Sequence, residues 1–216
     1  MGDSEAARTG SSHAIDTIGR LRGYRPRSVF RRKVLSVGLL DTFLAPARPE
    51  ALVVPEAKDS VYAPATGGIV PLSEVSDPVF SQGMLGEGLG IAHPEAGVAY
   101  APVSGTVTAV VASKHAVAIR AASGAEVLLH VGVDTVRLRG KGFTCYVGKG
   151  DRVKAGEALI AFDGELIRSS GLDDTVIVSV TNSDEVGPVE PARSGAVRAG
   201  EELLSLGVRV AAGAVK

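Results

Sequence analysis

The chain has 216 residues, 45% hydrophobic and 22% charged, which allows one globular domain of ordinary size and some additional chain. A formal net charge of −1 gives no bulk attraction to nucleic acid or to an anionic membrane. The lone cysteine, Cys145, excludes an internal disulfide and fits a reducing, cytoplasmic setting, and no apolar run approaches the ~18–20 residues that cross a bilayer.

Charge is uneven along the chain. Residues 1–50 hold nine Lys/Arg against five Asp/Glu, leaving fourteen against nineteen for residues 51–216. Residues 1–27 read as a basic leader without packing pattern. Ser28–Leu44 (SVFRRKVLSVGLLDTFL) is loosely amphipathic: a surface helix that could touch a membrane peripherally, a short imitation of a signal peptide, or text upstream of the true start of the working protein. Asp41 limits its apolar stretch to about seven residues. Pro46, Pro49 and Pro55 mark a linker, so residues 1–59 are expected to be a disordered or weakly helical leader and linker. A domain follows over 60–212, with a tail at 213–216.

Glycine is abundant (27) and aromatics are few (4%), a mix that favours short strands and tight turns. The strands predicted in chain order are 68–71, 90–92, 98–101, 105–112, 116–120, 126–131, 158–162, 176–180 and 203–210. Asp163–Ser170 has room for one helical turn. The fold class is therefore all-β, an antiparallel β-sandwich with at most minor helical turns. One segment echoes another: Ala63-Pro64-Ala65-Thr66-Gly67 resembles Ala101-Pro102-Val103-Ser104-Gly105 at an offset of 38 positions.

Of four histidines, His13 falls in the leader and His93 precedes Pro94 in a turn. His115 and His130 border the two strands of one predicted hairpin. With an even loop centred on Ala122 and Ser123, paired positions sum to 245, which sets the two histidines directly opposite each other on one face. An odd loop would place them diagonally or on different faces. A resident metal lacks a third ligand, since no His-x-His, HExxH or cysteine pair is near. A serine hydrolase lacks its Gly-x-Ser-x-Gly elbow. Covalent catalysis by histidine remains, with Ser113 and Thr135 as nearby hydroxyls. No Walker-type loop is present, so the phosphoryl donor need not be a nucleotide.

At these residues the sequence resembles the glucose-type enzyme IIA component of the bacterial phosphoenolpyruvate-dependent sugar phosphotransferase system. The segment Leu128-Leu129-His130-Val131-Gly132-Val133-Asp134-Thr135-Val136, followed by Gly140-Lys141-Gly142-Phe143, carries most of the likeness. Ala101–Val107, Ser113-Lys114-His115-Ala116, Asp77–Ser81 and the Gly148–Leu159 turn follow in the family's order. The resemblance implies that His130 accepts phosphate from the carrier protein HPr and passes it to an enzyme IIB domain of a sugar permease. It implies that His115 steadies the phosphoryl group, that Ser113 orients His115, and that Asp77 and Asp134 meet cationic groups of the partner. Val79, Phe80, Leu85 and Leu128 fall on the implied docking ring, where Val111 and Val117 replace common aromatics. The implied protein needs no cofactor, binds no nucleic acid and works as a monomer.

Two other readings accompany this one. In a regulatory binding module, His115 and His130 would gather Zn²⁺ at an interface with an acidic residue of a partner. In a lipoyl- or biotinyl-type carrier, Gly150-Asp151-Arg152-Val153-Lys154-Ala155-Gly156-Glu157 would be the turn before a modified lysine. The expected lysine hairpin does not follow; Phe162-Asp163-Gly164-Glu165 stands there.

Overall fold

The computed structural model describes residues 47–207. The proposed leader and helix before residue 47, and the tail after 207, lie outside the described residues. Fourteen short strands follow in order: β1 (Ser60–Tyr62), β2 (Gly67–Pro71), β3 (Glu87–Ala92), β4 (Val98–Tyr100), β5 (Gly105–Val110), β6 (Ala116–Ala121), β7 (Glu126–Val131), β8 (Phe143–Cys145), β9 (Arg152–Val153), β10 (Ala158–Phe162), β11 (Val176–Val180), β12 (Val189–Pro191), β13 (Ala196–Val197) and β14 (Glu202–Leu206). Three short helices, α1 (Pro78–Ser81), α2 (Gly164–Ser169) and α3 (Ser183–Val186), interrupt them.

All strand pairs are antiparallel. One sheet has eight strands in the order β13-β2-β3-β11-β7-β6-β5-β9, and two three-stranded sheets run β1-β14-β12 and β4-β10-β8. All three sheets feed one apolar core. Val117, Ile119, Val127, Leu129, Val131, Val176 and Val178 enter it from the large sheet, Val61 and Leu203 from one small sheet, and Ile160 and Phe143 from the other. This is the expected antiparallel sandwich. The predicted strands match closely, although the last ends at Leu206 among the described residues, and α2 forms where one helical turn was expected, capped by the Asp163 carboxylate on the Leu166 N–H. Strands β1, β8, β9, β12 and β13 escaped prediction because two- and three-residue pairings carry no periodic pattern of their own.

The sequence echo has a structural meaning, and it extends further than the two matching segments. The Ala101 N–H donates to Glu157 O (2.7 Å) and the Gly156 N–H to Ala101 O (2.9 Å). In the same way the Ala63 N–H donates to Glu201 O (2.8 Å) and the Gly200 N–H to Ala63 O (2.9 Å). The Ser104 hydroxyl accepts from the Ala155 N–H (2.9 Å) as Thr66 Oγ1 accepts from the Ala199 N–H (3.0 Å). Thus Lys154-Ala-Gly-Glu157 and Arg198-Ala-Gly-Glu201 are two copies of one clamp, each gripping an Ala-Pro segment. The two grips are tied together by Tyr62 N–H to Pro102 O (2.8 Å) and Tyr100 N–H to Pro64 O (2.9 Å). The turn that resembled a lipoyl-type carrier is one of these paired clamps.

Residues 48–54, assigned to a linker from the sequence, are docked on the clamps. The Leu52 N–H donates to Gly156 O (2.8 Å), and Arg48 Nε donates to Ala158 O (2.8 Å) while its guanidinium pairs with Glu157 (3.0 Å). Proline spacing suggested a linker, but a single extended segment held by backbone bonds leaves no periodic signature.

Gly156 and Gly200 share a left-handed φ of +86°, yet a methyl group would meet different surroundings. At Gly156 it would lie 2.6 Å from the Leu52 backbone oxygen; at Gly200 its nearest neighbour is the Val54 Cγ1 at 3.0 Å. Gly156→Ala is therefore expected to cost about 2–3 kcal/mol, about 1–2 of it from the left-handed backbone, and to release residues 48–54 to proteolysis. Gly200→Ala is expected to cost less, because a side chain can yield where backbone cannot. Urea unfolding and limited trypsin digestion of the two variants check the contrast.

Candidate functional site

Strand β7 alternates strictly. Val127, Leu129 and Val131 point into the core, so Leu128 and His130 stand on the opposite face of the large sheet. In register, His130 lies between Ala116 on β6 and Ile177 on β11. The small Ala116 leaves room beside the imidazole. Over this face lies a second apolar cluster of Leu72, Val75, Phe80, Val133 and Ile177, with Leu85 and Leu128 packed against it. The Phe80 ring meets the His130 ring edge-on, with centroids 5.2 Å apart.

The hairpin register differs from the expected one. Arg120 pairs with Glu126, and the Ala121 N–H donates to Ala125 O, so the loop proper is Ala122-Ser123-Gly124, with Gly124 at φ +90°. The odd loop makes paired positions sum to 246, and His130 faces Ala116 instead of His115. Regular alternation would then send His115 to the core side with Val117. Instead His115 stands in a bend before β6, after Lys114 in left-handed conformation (φ +62°), and its carbonyl accepts from the Val131 N–H (2.8 Å). The two rings still meet, T-shaped, with centroids 4.7 Å apart. The histidines are neighbours because the turn at 111–115 re-aims one of them, not because they share a rung of the ladder.

The two imidazoles differ on their inner sides. Ser113 Oγ lies 2.9 Å from His115 Nδ1, and Phe143 packs edge-on to the His115 ring at 6.3 Å. Nδ1 of His130 is buried and makes no hydrogen bond of normal geometry. Burial is the largest influence on His130 and pushes its pKa down to about 4; the neighbouring His115 pushes the same way, while the Asp77 carboxylate and the Gly132 backbone oppose them. Burial also lowers the pKa of His115, against a raising contact from Ser113. Both rings are therefore neutral at pH 7. A neutral imidazole with its inner nitrogen covered can act as a nucleophile through the other, and a neighbour braced on Nδ1 can donate from Nε2.

The other expected residues divide. Asp77 caps α1, accepting from the Val79 N–H (2.8 Å), and its charge reaches His130. Asp134 is exposed in left-handed conformation and is not among the groups that shift either histidine. Thr135 is fully buried and donates to Val131 O (2.7 Å), so its hydroxyl holds the turn and is spent before any phosphate arrives. Phe80 is only 2% exposed and cannot offer a docking surface; it walls His130 instead. Val117 is likewise core, whereas Val79 and Val111 are exposed and Leu85 and Leu128 half-buried. Two site residues were not singled out from the sequence. Phe143 is the second ring wall, and Gly132 (φ +74°) sits where a methyl group would strike Thr135 Cγ2 at 2.4 Å. Both lie inside the His-Val-Gly…Gly-x-Gly-Phe segment, which was the available signal. Among the described residues no set of three or more His, Cys, Asp or Glu side chains could hold a metal ion.

The antiparallel sandwich thus presents one imidazole against a second, with Phe80 and Phe143 edge-on to the pair. Residues 59–186 match the family described as phosphoenolpyruvate-dependent sugar phosphotransferase system, EIIA 1. The glucose-specific EIIA component of Halalkalibacterium halodurans is 40% identical over 147 residues, covering 68% of this chain and 84% of that protein. The beta-glucoside-specific EIIBCA component of Dickeya chrysanthemi is 42% identical over 148 residues, but the match spans only 23% of its length. Among solved structures, the glucose permease IIA of Mycoplasma capricolum superposes with a TM-score of 0.61 at 36% identity, over 67% of this chain and 93% of that one. The chain belongs to the EIIA family of the sugar phosphotransferase system, and so is a phosphocarrier and a phosphotransferase relay component. It spans about a quarter of the multi-component relatives and most of the single-component ones.

The depressed pKa of His130 ties stability to pH. Its folded value, about 4, lies below the ordinary unfolded value of about 6.5, so the unfolded chain takes the proton first as pH falls. The contribution is fully present above pH ~6.5 and is lost progressively down to pH ~4. Asp77→Asn, which retains an acceptor for the cap, is expected to move the His130 midpoint further down by removing the charge that raises it. Proton NMR titration of the His130 ring reads that shift directly, and an unchanged midpoint would contradict the assignment.

Proposed function

We propose that His130 is the residue phosphorylated in this carrier, that phospho-HPr is the donor, and that an enzyme IIB domain of a sugar permease is the acceptor. The observation that carries the reading is the neutral His130 ring, its Nδ1 buried, in contact with a second imidazole whose Nδ1 is occupied by Ser113. With the proton on the covered Nδ1, the lone pair on His130 Nε2 attacks the phosphorus of the donor phosphohistidine. A new N–P bond forms as the donor's N–P bond breaks, and that electron pair returns to the donor imidazole. His115 donates from Nε2 to a phosphoryl oxygen, and Phe80 and Phe143 hold the rings at their approach angle. In the second transfer the same bond breaks toward the acceptor. The Asp77 and Asp134 carboxylates remain at the rim, where they would repel phosphate but attract cationic partner groups.

This reading places the protein in the cytoplasm, with no resident cofactor. The named relatives include a glucose-specific component and components fused to B and C parts, which supports a permease as the onward partner and leaves sugar choice to that permease. The same two imidazoles could supply two ligands to Zn²⁺ at a partner interface; no third ligand stands with them among the described residues, so it would come from the partner.

Incubation with phosphoenolpyruvate, enzyme I and HPr is expected to place acid-labile phosphate on the wild type and none on His130→Gln. His115→Gln is expected to accept phosphate but to pass it to IIB about 10²-fold more slowly, because positioning is lost while the nucleophile remains. Phosphate on His130→Gln at the wild-type level would overturn the assignment.

A further inference from the structure

The turn that follows His130 is gripped from two sides, and one of the grips comes from a distant loop. On its own side Thr135 donates to Val131 O (2.7 Å). On the other side stands the irregular stretch between α2 and β11, Leu172-Asp173-Asp174-Thr175. Strands β7 and β11 pair regularly up to Val131 opposite Val176. Beyond that rung the pairing continues outside both strands: the Gly132 N–H donates to Thr175 O and the Val133 N–H to Asp173 O, each 2.9 Å. One step along the first chain is matched by two along the second, so Asp174 is the extra residue, as in a bulge. Its carboxylate is buried and paired with Arg168 of α2.

Carbonyls in an irregular loop have no ladder of their own to aim them. Here the Asp173 side chain does so. Its Oδ1 accepts from the Thr175 N–H (2.8 Å) and from the Thr175 hydroxyl (2.6 Å), closing a bracket across Asp174. Thr175 is 5% exposed, so its hydroxyl has little access to water as another partner. The bracket fixes the Asp173 and Thr175 carbonyls as a pair of acceptors for the two N–H groups that leave β7. The approach is close: a methyl group placed on Gly132 would lie 2.8 Å from Asp173 O. The Gly132 main chain is in turn one of the groups that act on the His130 ring. Because His130 Nδ1 is buried without a hydrogen bond of normal geometry, a displacement of that neighbouring main chain acts on it directly.

We propose that Asp173 and Thr175 are positioning residues for phosphoryl transfer at His130: their side-chain bracket holds the Gly132 main chain against the inner side of the His130 ring and so sets the angle at which the outer nitrogen meets phosphorus. The proposal rests on the phosphocarrier reading and deepens it by naming two residues, on a different loop, that serve the nucleophile. A misplacement of about 1 Å in such a chain of contacts can cost on the order of 10²-fold in rate, so a support outside the ring pair is enough to matter. The bracket works by accepting hydrogen bonds, not by its charge. An amide oxygen at position 173 therefore serves in place of the carboxylate, and a serine hydroxyl at 175 in place of the threonine.

Four variants of the full chain test this. Asp173→Ala removes the acceptor and Thr175→Val the hydroxyl, whereas Asp173→Asn and Thr175→Ser keep them. Phosphate uptake from phospho-HPr, measured well below the thermal midpoint of each variant, is expected to slow about ten-fold in the first pair and to stay within about two-fold of wild type in the second. Nitrogen-15 NMR of the histidine rings, recorded without any partner, gives the second readout. In the first pair the His130 ring shifts are expected to move toward the Nε2–H form while those of His115 stay in place; a merely structural role would move both rings or neither. Unchanged uptake in Asp173→Ala and Thr175→Val would overturn the proposal. So would equal slowing in Asp173→Asn, which would make the exposed charge the agent, or slowed uptake with unmoved His130 shifts. Failure of the phosphocarrier reading is distinguishable, because the wild type itself would then take up no phosphate, and the ring shifts would still report whether the bracket reaches His130.

Discussion

An imidazole surrounded by apolar groups cannot easily afford a positive charge, and the cost of charging His130 organises the site around it. Phe80 and the cluster of Leu72, Val75, Val133 and Ile177 displace water from one side of the ring, and the His115 ring closes another. A second imidazole is a demanding neighbour: if both rings were protonated they would repel at 4.7 Å between centroids. Keeping both neutral removes that conflict and leaves a lone pair available on a ring nitrogen. Asp77 moderates the effect from the rim, opposing the depression without reversing it.

The rest of the fold can be understood as support for that placement. Strand β7 is buried on its core face by Val127, Leu129 and Val131 and paired on both edges, by β6 and β11, so His130 is carried on a backbone with little freedom. The turn after β7 is locked by Thr135, whose hydroxyl closes on Val131 O and whose methyl fills the space that Gly132 leaves open. Ser113 then sets the His115 ring from its own turn. The two Ala-Gly-Glu clamps grip the Ala-Pro segments and receive residues 48–54. The repeated clamp shows that one local solution, an N–H and C=O exchange between an alanine and an Ala-Gly-Glu turn, was used twice to tie the sheets together.

Most of the sandwich was legible in the sequence. Residues 126–131 and 176–180 announce themselves as strands because alternating or continuous apolar residues can be buried in few other ways, and Gly, Pro and Asp mark the turns between them. Strands such as Arg152–Val153 and Ala196–Val197 did not, since two residues cannot express a period; they are strands because a neighbouring edge offers them partners. The docking residues divided for a related reason. Phe80 and Val79 are adjacent and both apolar, yet one is 2% exposed and the other 39%, because a short helix capped by Asp77 turns one inward and its neighbour outward.

Sequence was enough to establish the class of the fold and the family, and to single out the two histidines as candidates, because these depend on residue types in local order: a strand ending in His, then Gly, then an Asp-Thr-Val turn. It could not establish how the histidines meet. That depended on one residue in the loop at 122–124, which shifts the ladder by a position, and on the left-handed Lys114, which restores the contact the shift would have broken. Nor could it show that Thr135 is spent on a backbone carbonyl or that Phe80 is a wall. Burial, register and pairing are relations between distant segments, and they acquire values when the sheets close on a common core.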